Sequence, residues 1–355
     1  VAESLPYFSK APNGLYQNGA LAEGVYGQAV EHPEMQLGRW HQLVRQKDWT
    51  YLSVATPDWF LALAVAHVGY ATNTFVYLVD RHDPSRWWQK ETLGPLAAGL
   101  TLAPSSLHGS TVWQAGDQRI AMHFSASACR VELAVQLPAA SGNSGNPRLQ
   151  SVQADLTWAY GQPLALVCGL PTHLPAGQRS QGQVYTHKDA GMPVQGSLQV
   201  GDKVMQVDGL GTLDWTRAKA LRTVTWKWAS LAMATPQGRL GLNLSAEVYD
   251  DQNGASLENA VWLNGQMFRL PGCRFVLPAH KETEAWRVVS QDDGQHLDLS
   301  FAPLGARSQQ INAGLLRSSF VQPFGLFSGH IQVPGGPRIA VDNGLGVVED
   351  HLSVW

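Results

Sequence analysis

Apolar and polar residues alternate with a period of two from 49 to 54, and the pattern continues through 59–65 and 75–79. Such alternation predicts half-buried β-strands. Further runs of the same kind lie at 100–102, 111–114, 120–125, 130–136, 164–167, 182–188, 194–200 and 203–207. A second set follows at 240–249, 260–263, 266–270, 274–277, 286–290, 297–301, 326–333 and 338–341. Gly, Asn, Ser and Pro clusters between the runs supply turn chemistry. Helical periodicity is nearly absent, and only 84–91 and 309–317 could hold a short helix. Residues up to about Arg39 read as an irregular leader, and 139–147 as a hairpin loop. Many short strands at near-regular spacing predict an all-β chain of closed or nearly closed antiparallel sheets.

The pattern occurs twice. Gly196-Ser-Leu-Gln-Val200 with Val207-Asp-Gly-Leu-Gly211-Thr-Leu-Asp214 is echoed by Gly329-His-Ile-Gln-Val333 with Val341-Asp-Asn-Gly-Leu-Gly346-Val-Val-Glu349. Trp49-Thr-Tyr-Leu-Ser53 is echoed by Trp226-Lys-Trp-Ala-Ser230. One half therefore ends, and the other begins, within 209–228. The repeat predicts two tandem β-barrels, residues 1–215 with the leader and residues 216–355. A barrel of about eight strands can enclose one small ligand.

Composition narrows the function classes. Apolar residues make up 44% of the 355 positions and charged ones 15%, enough for a large core and too apolar for disorder. A net charge of -3 without a basic cluster excludes a nucleic-acid partner. The longest apolar stretch, 60–79, is broken by His67, Gly69, Thr72 and Asn73, so it predicts a hairpin and no transmembrane segment. Cys129, Cys168 and Cys273 lack metal or disulfide spacing, and a cytoplasmic setting fits them. The twelve histidines are scattered, so no metal is expected, and no nucleotide loop, nucleophile elbow or other cofactor signature is present. Thirteen tryptophans fit either a large β core or an apolar ligand pocket.

On a strand, Trp226 and Trp228 face one side and Lys227 the other, and Trp49 and Tyr51 repeat the arrangement. Core filling is the preferred reading of the Trp49 pair, while the Trp226 pair is open to either reading.

Tyr185-Thr-His-Lys188, Gly-Met-Pro-Val194, Leu-Asp-Trp-Thr216, Trp-Lys-Trp-Ala-Ser230, Gly-Leu-Asn-Leu244, Gln-Pro-Phe-Gly325 and the terminal Gly-Val-Val-Glu-Asp-His-Leu-Ser-Val-Trp355 resemble, in that order, the bacterial family known as domain of unknown function 2804. More distantly, the order of strand, hairpin, Gly-x-x-x-x-Asp, spacer and Trp-x-Trp resembles the carotenoid 1,2-hydratase and AttH-like superfamily of two-domain lipocalin-like proteins. That resemblance implies two lipocalin-like barrels with an apolar ligand in or between them. Asp214 matches the acidic position of the hydratase pattern. Thr216 stands where that pattern has Glu and Lys227 where it has Asp, so the acid cluster for hydrating an isolated alkene is incomplete.

Asp214, between Leu213 and Trp215, is the first candidate for a general acid, because a desolvated carboxyl retains its proton near neutral pH. A cap, or a pair with Arg217 or Arg222, is the structural alternative. Glu349 occupies the equivalent place in the second half, and a pseudo-twofold packing would bring the two acids together. Lys188, sharing a strand face with Thr186, is a candidate base, Schiff-base amine or carboxylate anchor. Asn243 is a polar residue in an apolar strand, suited to orienting a ligand, and His351 is a possible base beside Glu349. The expected catalytic set is Asp214, Lys188 and Glu349. The expected ligand contacts are Trp215, Trp226, Trp228, Asn243, Thr186 and His351.

Two functions follow. One is an enzyme without cofactor that moves protons on an apolar terpenoid, lipid or aromatic molecule, by isomerisation, cyclisation, hydration or dehydration. The other is a lipocalin-type carrier of the same kind of molecule. A homodimer is compatible with either. Asp214 buried beside Lys188 favours the enzyme, and Asp214 engaged with Arg217 favours the carrier.

Overall fold

A computed structural model describes residues 5–140, 149–172, 181–313 and 316–354. The loop expected at 139–147 falls largely outside them. The described chain is all-β apart from one short helix, Arg39–Arg45. Two curled, barrel-like sheets carry the fold.

The path of the first sheet runs from Trp87–Pro95 through Ala71–Asp80, Trp59–His67, Gln46–Ala55, Lys203–Lys219, Gly182–Val200, Gln150–Ala159, Ala128–Leu137, Gln118–Phe124 and Gly109–Ala115 to Leu100–Thr101. It curls until Gln89 donates its backbone N–H to Pro138 O and Ala140 to Trp87 O. The second sheet runs from Gln266–Arg269 through Ala260–Leu263, Gly238–Ala246, Thr223–Thr235, Arg338–Val354, Leu316–Gln332, Leu297–Ala313 and Trp286–Ser290 to Cys273–Val276. Neighbours along both paths are antiparallel, as hairpin connections require. Trp59–His67 and Ala71–Asp80 form the hairpin expected of the apolar stretch at 60–79.

Both helix expectations are corrected. Pro84–Glu91 feeds the edge strand Trp87–Pro95, and 309–317 belongs largely to the hairpin of Leu297–Ala313 and Leu316–Gln332. Tertiary pairing outweighs the weak helical propensity of both segments. The helix Arg39–Arg45 closes the segment read as irregular, and none of its residues is buried.

The internal repeat is visible in backbone detail. Gly196 and Gly329 adopt φ of +140° and +141°, and a Cβ on either would lie 2.0 Å from Asp155 O or 2.1 Å from Asp298 O. Only glycine allows that close strand crossing.

Alternation separates two kinds of buried face. Leu52, Val54, Tyr185, Leu213 and Trp215 turn into the core of the first barrel, and Ala229, Leu231 and Val348 into that of the second. The opposite faces are buried as well, because the halves pack against each other. Tyr51, Phe60, Ala62, Tyr77, Trp228, Phe324 and Val347 make one apolar cluster across this seam, and Leu166, Val184, Ala218, Tyr249 and Trp262 another. The candidate site lies along the seam.

Candidate active site

Strand pairing builds the first part of the site. Lys188 is the cross-strand partner of Asp214, and Asp214 is the partner of Tyr51 on its other side. All three therefore share a face, turned from the first barrel toward the second half. Lys188 Nζ stands 2.6 Å from Asp214 Oδ2. Thr216 donates its hydroxyl to Asp214 Oδ1 at 2.9 Å, and the Trp49 indole N–H reaches Oδ2 at 3.2 Å. Arg217 lies on the opposite face, where its Nε meets Asp48, so the alternative pairing of Asp214 with Arg217 does not occur.

The second half supplies another carboxyl. Glu258 Oε1 lies 3.6 Å from Lys188 Nζ. Glu258 sits in the irregular segment before Ala260–Leu263, and its neighbours fix that segment. Leu257 N–H bonds Tyr249 O, while Asn259 accepts from Ser245 N–H at 2.8 Å and donates to Pro271 O at 3.1 Å. Asn243 Nδ2 donates to Glu258 O at 3.0 Å and its Oδ1 accepts from Trp228 Nε1 at 2.8 Å. Side-chain exposure is 4% for Lys188, 10% for Asp214 and 2% for Glu258, so the ammonium and both carboxyls are shut away from bulk water.

Burial and charge then set protonation. Burial raises Glu258 to about 7, with Lys188 and the nearby Thr186 and Ser245 hydroxyls lowering it and Asp214 raising it further. Burial alone would lower Lys188, but the Asp214 and Glu258 carboxyls outweigh it and hold the ammonium above its ordinary range. Lys188 is thus held as the ammonium between two carboxyls. A cavity of about 10 Å³ lies on the other side of this strand pair, toward the first barrel, lined by Asp48, Thr50, Trp215 and Arg217 among others.

The repeat produces a second carboxylate–indole pair. Glu349 Oε1 accepts from Trp226 Nε1 at 2.8 Å, and Oε2 from Gln322 Nε2 at 2.7 Å. His351 Nδ1 is 3.3 Å from Glu349 Oε1, and its Nε2 meets Ser318 and Ser353 hydroxyls at 3.0 and 2.9 Å. Between the two clusters stand Tyr51 and Trp228, edge to face with centroids 5.2 Å apart.

The model of the family described as a domain of unknown function, DUF2804, matches residues 9–355. The chain belongs to this family. Among solved structures, the DUF2804 chain is similar to a putative AttH from Nitrosomonas europaea, with a TM-score of 0.50, 15% identity, and coverage of 92% of this chain and 99% of that one. CghA in complex with Sch210972 gives a TM-score of 0.49 at 10% identity, covering 87% and 88%. Kievitone hydratase from Nectria haematococca gives 0.45 at 13% identity, covering 98% and 97%. No curated protein sequence matches the chain. The AttH likeness shows a shared fold.

Within this DUF2804 fold, the expected residues separate into groups. Lys188, Asp214, Thr186, Trp228 and Asn243 converge around Glu258. Glu349, Trp226 and His351 form the second cluster, so the acid brought to Asp214 through Lys188 is Glu258 and not Glu349. Trp215 faces the first barrel, 5.6 Å from the Tyr185 ring and 5.1 Å from the Arg217 guanidinium. Trp49, read as core filling, is instead a hydrogen-bond donor to Asp214. Lys227 points away from the indoles, as alternation requires, and pairs with Glu247 and Asp350 at 2.9 and 2.7 Å. Sequence reasoning missed Glu258, whose one local signal is an acid set between Leu257 and the buried run Asn259-Ala-Val-Trp262.

Proposed function

We propose that this chain is an acid–base enzyme for an apolar small molecule held in the seam between its two sheets, acting by isomerisation, cyclisation, or addition and elimination of water. The observation that carries this reading is that two carboxyls share one ammonium in a site closed to bulk water. Were both ionised, the buried trio would carry a net negative charge, which a low-dielectric site disfavours. Glu258, farther from Lys188 and less exposed, holds the proton that restores neutrality.

Glu258 then donates that proton to substrate, and Asp214 takes one from it. Lys188 stabilises whichever carboxyl carries the extra negative charge. Trp228 and Tyr51 present ring electrons to positive charge developing on carbon.

The test begins by extracting apolar molecules from the purified protein, identifying them by mass spectrometry and incubating each with protein in D2O. The expected result is deuterium incorporation at carbon, with or without isomerisation or a change of one water in mass. Glu258→Gln and Asp214→Asn should abolish it while retaining the ligand. If no recovered molecule is deuterated, rearranged, hydrated or dehydrated, catalysis is excluded and the carrier reading takes its place.

A further inference from the structure

Beside the acid cluster lies a group of polar atoms that the proposed proton transfer leaves unused. Tyr51 and Tyr77 are both buried on the seam face of the first sheet, and their hydroxyls neighbour one another without good hydrogen-bond geometry. The Ser53 hydroxyl also lies near that of Tyr51, and neither phenol makes a hydrogen bond of good geometry among the described residues. The two tyrosines flank Ala62 and Ala64, since Tyr51 pairs with Ala64 and Ala62 with Tyr77. The phenols therefore project over small side chains.

Arg307 comes to the same place from the second half. Its side chain is 4% exposed. Its guanidinium lies 3.6 Å from the Phe75 ring centroid and 5.9 Å from that of Tyr77. Its polar contacts are long: Gln322 Oε1 at 3.5 Å and Glu91 Oε2 at 3.5 Å. Glu91 is already engaged through its other oxygen by Asn73 and Gln309 at 2.7 and 3.0 Å. A buried phenol without a well-formed hydrogen bond is costly, and native folds rarely retain such groups without a use for them.

We infer that Tyr51, Tyr77 and Arg307 form an oxygen-binding site, and that the substrate is an apolar molecule bearing a carbonyl, not a pure hydrocarbon. The inference rests on the acid–base reading of the seam and specifies its substrate. Both phenols donate hydrogen bonds to the carbonyl oxygen, and Arg307 adds positive charge behind them. An anionic head group fits less well, because Glu91 and, through Gln322, Glu349 already balance the guanidinium. Tyr51 is also the cross-strand partner of Asp214, so an oxygen held by Tyr51 places its neighbouring carbons toward the proton-transfer groups. Polarising the carbonyl acidifies the adjacent C–H, which Asp214 removes as the oxygen gains enolate character, and Glu258 returns a proton to carbon. Bonds and charge balance without an oxidant or a co-reactant.

The experiment compares 2-acetylnaphthalene with 2-ethylnaphthalene, two probes of similar shape of which only the first carries a carbonyl. Binding is read by tryptophan fluorescence, and the carbonyl stretch by infrared difference spectroscopy with a 13C-labelled carbonyl. The ketone is expected to bind at least about tenfold more tightly than the hydrocarbon, the equivalent of about 1.4 kcal/mol, with its carbonyl stretch shifted to lower frequency. Tyr51→Phe and Tyr77→Phe should each reduce that preference several-fold and reverse part of the shift, leaving hydrocarbon binding unchanged. Equal binding of the two probes, binding of neither, or a preference that both variants retain would overturn the oxygen site. Each of these outcomes leaves the acid–base reading to stand or fall on its own deuterium test.

Discussion

Lys188 and Glu258 meet at 3.6 Å although they belong to different sheets, Lys188 to the long strand Gly182–Val200 and Glu258 to the segment entering Ala260–Leu263. The contact makes the seam between the halves an electrostatic unit, with one cation serving two acids. Lys188→Met removes the cation and leaves Asp214 in a buried site with only Trp49 and Thr216 as donors. Truncating one member of a buried pair costs about 3–5 kcal/mol. That loss should appear as a lower urea midpoint with an unchanged slope. The double variant Lys188→Met with Asp214→Asn should recover part of it. A single variant within about 1 kcal/mol of the parent would show that the pair does not hold the seam.

The protonation of Glu258 sets a direction for stability against pH. Its pKa is about 7 in the folded chain against an ordinary 4.5, so between those values the native state holds a proton that the unfolded state has released. Its contribution is complete below about pH 4.5 and is lost as pH rises through about 7. The full span is worth about 3 kcal/mol. Glu258→Gln mimics the protonated acid at every pH. The variant should therefore nearly match the parent at pH 4 and exceed it at pH 8 in denaturant titrations at each pH. A parallel pair of pH profiles would refute the buried-acid assignment.

How much of this was legible in the sequence depends on distance along the chain. Alternation placed Trp226 and Trp228 on one face and Lys227 on the other, and the repeat located Asp214 and Glu349 at equivalent positions, because these are properties of single strands. The same alternation places Trp215 opposite Asp214, so Trp215 belongs with the barrel interior. Glu258 carries no periodic or motif signal. It reaches Lys188 only because the halves pack face to face, a relationship between residues seventy positions apart that spacing does not encode. The strand at Trp87–Pro95 was similarly hidden, since its partner Ala71–Asp80 gives it its conformation.

Gly196 and Gly329 permit a direct test of the repeat. Each holds φ near +140°, and in each a methyl group would meet a carbonyl oxygen of the neighbouring strand near 2 Å. Gly196→Ala and Gly329→Ala should each destabilise the chain by about 3 kcal/mol or more, combining backbone strain with a forced strand separation. Gly116→Ala, at a turn where φ is +62° and nothing lies within 4 Å of a built Cβ, is the control for strain alone and should cost about 1 kcal/mol. Thermal unfolding of the three variants separates these effects, and equal losses in all three would remove the special role of the two crossings.

Asp189 separates a buried acid that is structural from one that is chemical. It lies on the opposite face of the strand from Lys188, with its Oδ2 accepting Gly161 N–H at 2.7 Å and its Oδ1 without a partner among the described residues. Burial pushes it up to about 8, against the lowering effect of the Gly161 and Ala190 backbone N–H groups. Its neighbour on that face, His187, is lowered by burial to about 3 and bonds Ser106 at 2.9 Å as a neutral ring. The raised pKa of Asp189 gives the same sign as for Glu258: its contribution is full below an ordinary carboxyl value and is lost as pH rises through about 8. Asp189→Asn should therefore leave the melting temperature nearly unchanged near pH 4 and raise it by ~5 °C at pH 9. Unlike Glu258→Gln, it should leave deuterium incorporation into the bound molecule intact, because the first barrel's wall stands between Asp189 and the seam. Loss of that exchange in Asp189→Asn with unchanged melting would move the proton donor from the seam to the barrel interior.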